Sequence, residues 1–128
     1  MTKDPPRPTQ SELEILSVLW DAGPSTVREV QQTLEARKPT GYTTVLKLLQ
    51  IMTEKGLVRR DERERAHRYA PRLPRERTEQ QIVGDLLDRA FGGSSSRLVM
   101  RALSSRKATP EELDRIRALL DEIEGGKR

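Results

Sequence analysis

The stretch GYTTVLKLLQIMTEKGLVRR, residues 41–60, constrains the fold more than any other part of the chain. Up to Lys55 its apolar residues keep helical spacing, with Val45, Leu48, Leu49 and Met52 on one face. After Gly56 the period changes to the alternation of Leu57-Val58-Arg59-Arg60. A helix that stops at a glycine and turns straight into a strand must bury one face while a ribbon follows directly behind it. The polar tip Asp61 to Ala66 and a second run, His67-Arg68-Tyr69-Ala70-Pro71, complete a predicted hairpin.

Two helices precede this unit. Thr9-Gln10-Ser11-Glu12 fits a capping box, with a threonine whose hydroxyl accepts from the third helical N–H and a glutamate reaching back to the cap. The helix it opens runs to about Ala22 with Leu13, Leu16, Leu19 and Trp20 on one side, and Gly23-Pro24 ends it. Thr26 and Glu29 offer a second capping box, with Ser25 as a competing cap, and Val27, Val30 and Leu34 form the buried stripe of helix two up to Arg37-Lys38-Pro39. Three helices and a hairpin make one winged-helix unit, in which helices two and three are the helix-turn-helix pair.

Three more helices follow. Arg75 to Phe91 carries Ile82, Val83, Leu86, Leu87 and Phe91; Gly92-Gly93-Ser94-Ser95-Ser96 breaks it; and Arg97 to Ser105 carries Leu98, Val99, Ala102 and Leu103. Thr109-Pro110-Glu111-Glu112 combines an N-cap, a proline at the first helical position and a closing glutamate, and the last helix puts Leu113, Ile116, Leu120 and Ile123 on one face. These stripes make no large core of their own and are expected to bury against a second copy of the chain. The fold class is mainly α with a small β-hairpin: a winged helix-turn-helix head over residues 9–73, a helical dimerisation arm over 74–128 and a flexible N-terminal arm over 1–8.

Charge separates these parts. Net charge is +4 over 128 residues, but residues 1–36 carry three basic and six acidic side chains, residues 37–72 ten and four, and residues 73–128 eleven and ten. The middle third, net +6, contains both the third helix and the hairpin and would attract a polyanion. The chain has no cysteine, which excludes disulfides, thiolate metal sites and thiol nucleophiles. No apolar run reaches membrane-spanning length and MTKDPPRP has no signal-peptide core, so a cytoplasmic protein without membrane insertion is expected.

A helix entering the major groove leads with its N-terminal turn, which needs side chains short enough to approach base edges. Thr43 and Thr44 supply hydroxyls and methyls, Lys47 reaches a guanine edge or a phosphate, and Tyr42 donates to a phosphate beside the free first-turn N–H groups. A capping Thr43 and a solvated Lys47 are the structural alternative. In the hairpin, arginines alternate with Asp61, Glu62 and Glu64, so internal pairing competes with binding. The tip residues Arg63 and Arg65 are the better DNA contacts, with His67 a further wing contact. One histidine without a carboxylate cluster is a poor metal or catalytic site. Asp85/Asp88 and Glu111/Glu112/Asp114 lie on amphipathic helices as solvated faces, and no phosphate loop, nucleophile elbow or metal motif is present. No enzyme activity, metal or cofactor is expected. A winged-helix protein-interaction module is the alternative to direct DNA readout, and salt-dependent binding of random duplex DNA separates the two. A small-molecule pocket in residues 75–124 is disfavoured, since that segment has few aromatics and no convergent polar set.

PTQSELEILSVLW (8–20), STVREV (25–30), YTTVLKLLQIMTEKGLV (42–58), RYAP (68–71), FGGSSSRLVM (91–100) and TPEELDRIRALL (109–120) together make the chain resemble the penicillinase-repressor (BlaI/MecI/CopY) family across nearly its full length. The resemblance implies a dimeric transcriptional repressor on a palindromic operator with TACA/TGTA-type half-sites. Tyr42, Thr43, Thr44 and Lys47 match the leading end of the family's recognition helix, and Arg63 to His67 its wing. Dimerisation would fall to Leu98, Val99, Leu103, Leu113, Ile116 and Leu120. The family often regulates β-lactamase or penicillin-binding-protein genes and is inactivated by proteolysis after a membrane sensor metalloprotease is triggered. The position that matches the cleaved Asn-Phe bond of some members is Arg101-Ala102 here. Similar members often carry threonine in place of Lys47 and a basic residue in place of Ile51. The cysteine cluster of the copper-responsive branch is missing, which excludes copper sensing through that motif.

Overall fold

The computed structural model describes residues 6–126, in the order α1 Gln10–Ala22, β1 Ser25–Thr26, α2 Val27–Glu35, α3 Tyr42–Lys55, β2 Val58–Asp61, β3 Arg68–Pro71, α4 Arg75–Arg89, α5 Ser95–Ser105 and α6 Pro110–Gly125. Residues 1–5 of the expected N-terminal arm lie outside the described residues. The chain divides into two compact units, the first ending at Ile82 and the second starting at Val83, within α4.

In the first unit the predicted caps all form. Thr9 and Glu12 exchange hydrogen bonds at α1, with the Thr9 N–H donating to Glu12 Oε1 over 2.8 Å and the Glu12 N–H to Thr9 Oγ1 over 3.2 Å. Thr26 and Glu29 do the same at α2 over 2.9 and 3.2 Å, which leaves Ser25 out of the cap. α3 ends as its sequence requires: Gly56 takes φ +83°, and the Leu57 N–H reaches back to the Met52 carbonyl over 2.9 Å. The side chains of Leu57 and Met52, both buried, flank that turn, the apolar contact that accompanies this kind of helix end.

The core of this unit is a single cluster in which α1 gives Ile15, Leu16, Val18 and Leu19, α2 gives Val27, Val30 and Leu34, α3 gives Val45, Leu49 and Met52, and the ribbon gives Leu57, Val58 and Tyr69. Two expectations for α1 and α3 need correction. Leu13 is only half-buried while Ile15 and Val18 are fully covered, because α1 is packed by α2, α3 and β3 together and its apolar stripe widens accordingly. Leu48 likewise packs against the core edge without full burial.

The hairpin is the larger part of a three-stranded antiparallel sheet of order β1-β3-β2. Val58 lies opposite Pro71 and Asp61 opposite Arg68 across β2 and β3, while Ser25 pairs with Tyr69 and Thr26 with Arg68 across β1 and β3. β3 is therefore central, and the residues that lead into α2 are stitched to the wing. Past β3 the Trp20 Nε1–H donates to the Leu73 carbonyl over 3.0 Å, Arg75 pairs with Asp21 and stacks on the Trp20 ring, and Thr78 is buried, so the start of α4 belongs to the head.

In the second unit Ser94 caps α5 and Thr109 with Glu112 caps α6. α4 ends at Arg89 and α5 begins at Ser95, each two residues earlier than expected from the sequence, and the early start of α5 follows from the Ser94 hydroxyl accepting the Arg97 N–H over 3.2 Å. Among the described residues from Val83 onward no side chain is fully buried. Val83, Leu86, Val99, Met100, Leu103, Leu119, Leu120 and Ile123 are exposed.

Candidate nucleic-acid interface

The turn between α2 and α3 is built to aim the second helix. The Gln31 amide donates to the Thr40 carbonyl over 2.9 Å, the Thr40 N–H to Glu35 Oε2 over 3.1 Å, and the Thr40 hydroxyl to the Lys38 carbonyl over 2.9 Å. Side chains on α2 thus fix the entry to α3 before its first turn. At the far end Lys55 Nζ donates to Glu12 Oε1 over 2.7 Å, and Glu12 is 2% exposed. Burial pushes the Glu12 carboxyl up, but the hydrogen bonds from Lys55 and Thr9 outweigh it and hold the group below its ordinary value.

The leading turn of α3 is left open. Gly41 caps it with no side-chain hydrogen bond, in contrast to Thr9, Thr26, Ser94 and Thr109 at α1, α2, α5 and α6. Tyr42, Thr43, Thr44 and Lys47 are all exposed on that turn and the next, so the alternative of a capping Thr43 does not hold. The first-turn N–H groups and the positive end of the helix dipole lie at this same exposed end of α3.

The wing candidates divide. Arg65 and His67 line an open cleft of about 340 Å³ together with Thr26, Arg28, Tyr42 and Leu46, which brings them alongside the leading turn of α3. Arg63 lines a different cleft, with Arg59, Arg60 and Arg68, and forks onto Asp61 at 2.7 Å. Its side-chain and backbone donors hold the Asp61 carboxyl down at about 2. Arg60 pairs with Glu62 at 2.7 Å, and Arg68 with Glu29 at 3.2 Å and Glu64 at 3.3 Å. Arg63, expected as a tip contact, is exposed but paired with Asp61, two residues back, so this ion pair competes with any contact it makes. Thr44 lines a third hollow with Ser11, Glu14, Pro39 and Thr40, diverging from Tyr42 around the helix.

One participant escapes sequence reading. The Arg28 guanidinium sits 5.8 Å from the centre of the Tyr42 ring, in cation–π range, on the rim of the Arg65–His67 cleft. Its position in the acidic first third of the chain hid it from charge counting.

The remaining assigned residues are in the second unit. Leu98, Leu113 and Ile116 are half-buried, and Val99, Leu103 and Leu120 are exposed. Arg101 and Ala102 are exposed within α5, in helical backbone. Among the described residues no three histidine, aspartate or glutamate side chains gather to hold a metal ion, and no helix is long and apolar enough to cross a membrane.

A three-helix head whose second and third helices form the helix-turn-helix, backed by a wing and presenting an open basic helix end, is a winged-helix DNA-binding protein. Residues 8–122 match the penicillinase repressor family. The transcriptional regulator BlaI of Mycobacterium tuberculosis (strain CDC 1551 / Oshkosh) is 34% identical over 116 residues, 90% of this chain and 83% of that one. The penicillinase repressor of Bacillus licheniformis is 21% identical over 123 residues, 96% of each chain. The solution structure of the monomeric form of Bacillus licheniformis BlaI, in complex with the blaP half-operator, superposes with a TM-score of 0.51 at 22% identity, over 59% of this chain and 93% of that one. The chain belongs to the penicillinase repressor family and is a DNA-binding transcriptional repressor, not an enzyme.

Proposed function

We propose that the protein represses as a cytoplasmic homodimer on a palindromic operator with TACA/TGTA-type half-sites, using residues 9–73 to read DNA and residues 74–128 to pair. The observation that carries this reading is the open leading turn of α3, with Tyr42, Thr43, Thr44 and Lys47 exposed beside Arg65 and His67. Thr43 and Thr44 meet base edges, Lys47 a guanine or a phosphate, and the N–H groups of Tyr42 and its neighbours a phosphate. The Bacillus licheniformis relative was solved in complex with a half-operator, which supports DNA binding by this head. The apolar residues left exposed from Val83 onward, Val99, Leu103 and Leu120 among them, with Leu98, Leu113 and Ile116 half-buried beside them, support pairing with a second copy. Pairing sets two recognition helices about 34 Å apart, so that both enter successive major grooves on one side of the duplex.

Release follows from breaking the arm, because a single head keeps only one half-site. Arg101-Ala102 is the bond proposed for cleavage, with a membrane sensor metalloprotease as the trigger. Since that bond lies in α5, a protease must first open the helix locally. The family's target genes, of the β-lactamase or cell-wall-stress type, are the regulon proposed.

The test is fluorescence anisotropy of the full chain against random duplex DNA and against a duplex selected from a random pool, each at two salt concentrations, with sedimentation equilibrium on the same sample. Tight, salt-dependent binding to a selected sequence of two-fold symmetry by a dimer is the expected result. A monomer at working concentrations, or selected sequences without two-fold symmetry, refutes it.

A further inference from the structure

The cleft between the start of α2, the start of α3 and the wing holds a cation that the recognition helix does not supply. Arg28 is the second residue of α2, is exposed, and stacks on Tyr42, the first residue of α3. Two features keep its charge available. Among the described residues no carboxylate pairs with it. Its neighbour Glu29, the nearest acid in sequence, is already engaged by the Thr26 N–H at 2.9 Å and by Arg68 at 3.2 Å. Lys47 and Arg65, the other cations of this face, are equally without an ion pair among the described residues, whereas Arg60, Arg63 and Arg68 are neutralised on the other side of the wing.

We infer that Arg28 and Arg65 form a clamp for the DNA sugar-phosphate backbone where it crosses between the recognition helix and the wing, with Tyr42 holding the Arg28 guanidinium in place. This inference rests on the DNA-reading face proposed above and adds a contact outside the recognition helix. The chemistry fits the ligand. A guanidinium presents a planar fork of donors that matches two phosphate oxygens, and its flat face stacks on an aromatic ring while its edge stays free to donate. A stacked arginine loses less freedom on binding than a free one, so the Tyr42 ring acts as a preorganising surface. The ring's own edge stays accessible, since Tyr42 is 46% exposed. Tyr42 is thereby a positioning residue for Arg28 as well as part of the interface.

The experiment compares wild type with Arg28→Ala, Arg28→Lys, Tyr42→Phe, Tyr42→Ala and the Arg28→Ala/Tyr42→Ala double variant, all as full chain. The assay is anisotropy against random duplex DNA and against a wild-type-selected duplex across a salt series. Arg117→Ala, an exposed cation of α6 paired with Asp114, controls for the loss of one unit of net charge. One phosphate contact gives a slope of about −0.9 in log K against log salt, or roughly fivefold in affinity per protomer at about 0.15 M salt. Arg28→Ala should show that loss and that shallower slope on both duplexes, while Arg117→Ala should not.

Arg28→Lys should keep the slope and lose part of the affinity, since a lysine keeps the charge without the stacked fork. Tyr42→Phe should keep the ring's effect on Arg28. Tyr42→Ala should cost less in the Arg28→Ala background than in wild type. An Arg28→Ala slope equal to wild type, with far-ultraviolet circular dichroism unchanged, overturns the clamp while leaving the DNA-reading face standing. A strictly additive double variant overturns the positioning role of Tyr42. Absence of DNA binding by the wild type itself is a different outcome, and it sinks the proposed interface first.

Discussion

Replacing Glu12 with glutamine probes what holds the recognition helix in place. The Glu12 side chain is 3% exposed and its partner Lys55 is 33% exposed, at 2.7 Å. Removing one partner of a fully buried pair costs about 3–5 kcal/mol because a bare charge is stranded. Here the stranded group would be Lys55, and its one-third exposure lets water recover much of that cost. Glutamine also keeps an amide oxygen for the Thr9 N–H, so the cap survives. What remains is one charge-assisted hydrogen bond in a partly wet site, about 1.5 kcal/mol. For a head of this size a loss of about 1 kcal/mol lowers the thermal midpoint by ~4–8 °C, so Glu12→Gln should melt about 6–12 °C below wild type near pH 7. Glu12→Ala, which also abolishes the reciprocal cap, should lose about 1 kcal/mol more. The pH dependence has a fixed sign. The folded Glu12 carboxyl lies below its unfolded value, so its contribution is complete above the unfolded pKa and disappears as pH falls through the folded one. Differential scanning calorimetry from about pH 7 down to about pH 3 should therefore show the wild-type and Glu12→Gln midpoints converging at the acid end. A gap under about 2 °C at neutral pH, or one undiminished in acid, would refute the assignment of stability to this pair.

Lys47→Ala should weaken operator binding and make the salt dependence shallower by about one unit per protomer if the lysine meets a phosphate; anisotropy across a salt series measures both. Arg63→Ala should change affinity little, because Asp61 neutralises that guanidinium, whereas Asp61→Asn should release it and steepen the salt slope in the same assay. Lowering the pH cannot do this, since Asp61 stays ionised down to about 2. The Leu113→Asp/Ile116→Asp variant should sediment as a monomer and bind a two-half-site duplex roughly 100-fold more weakly, while its single head still binds one half-site.

Local signals carried most of the architecture. The boundaries of α2, α3 and α6 follow from threonine caps, a proline and the Gly56 stop, each written within a few residues of the helix end it governs. Features that depend on distant partners were not legible. β1 is two residues long and exists only because β3, more than forty residues on, pairs with it. Its residues Ser25 and Thr26 read from sequence as cap candidates and nothing else. The glutamate of the first capping box was legible as Glu12, but its ion pair with Lys55, 43 residues away, was not. Arg28 was missed for the same reason: charge summed along the chain placed it among acids, while the fold carries it to the basic face. Arg63 is the opposite case, since Asp61 at two residues' distance was visible in the alternating wing sequence, and the pair forms while the arginine stays exposed.

The distribution of stabilising contacts around α3 explains why its front can be left open. A glycine N-cap without a side-chain bond leaves first-turn donors unsatisfied, which a helix tolerates when other contacts hold it. α3 has those contacts elsewhere: Val45, Leu49 and Met52 are fully buried, Gly56 closes the last turn, and Lys55 anchors that turn to α1. Rear and flank are fixed, so the leading donors, the hydroxyls of Thr43 and Thr44 and the Lys47 ammonium can wait for a ligand without weakening the helix. The same logic sorts the arginines. Of those in the outer wing, Arg60, Arg63 and Arg68 already have carboxylates and Arg59 does not, so binding DNA through those three would first break an ion pair, whereas Arg28, Lys47 and Arg65 have no such bond to give up among the described residues. On the proposed reading, the cations that carry DNA binding are those the fold leaves without a carboxylate beside the open end of α3, and a count of basic residues along the wing does not separate them from the paired ones.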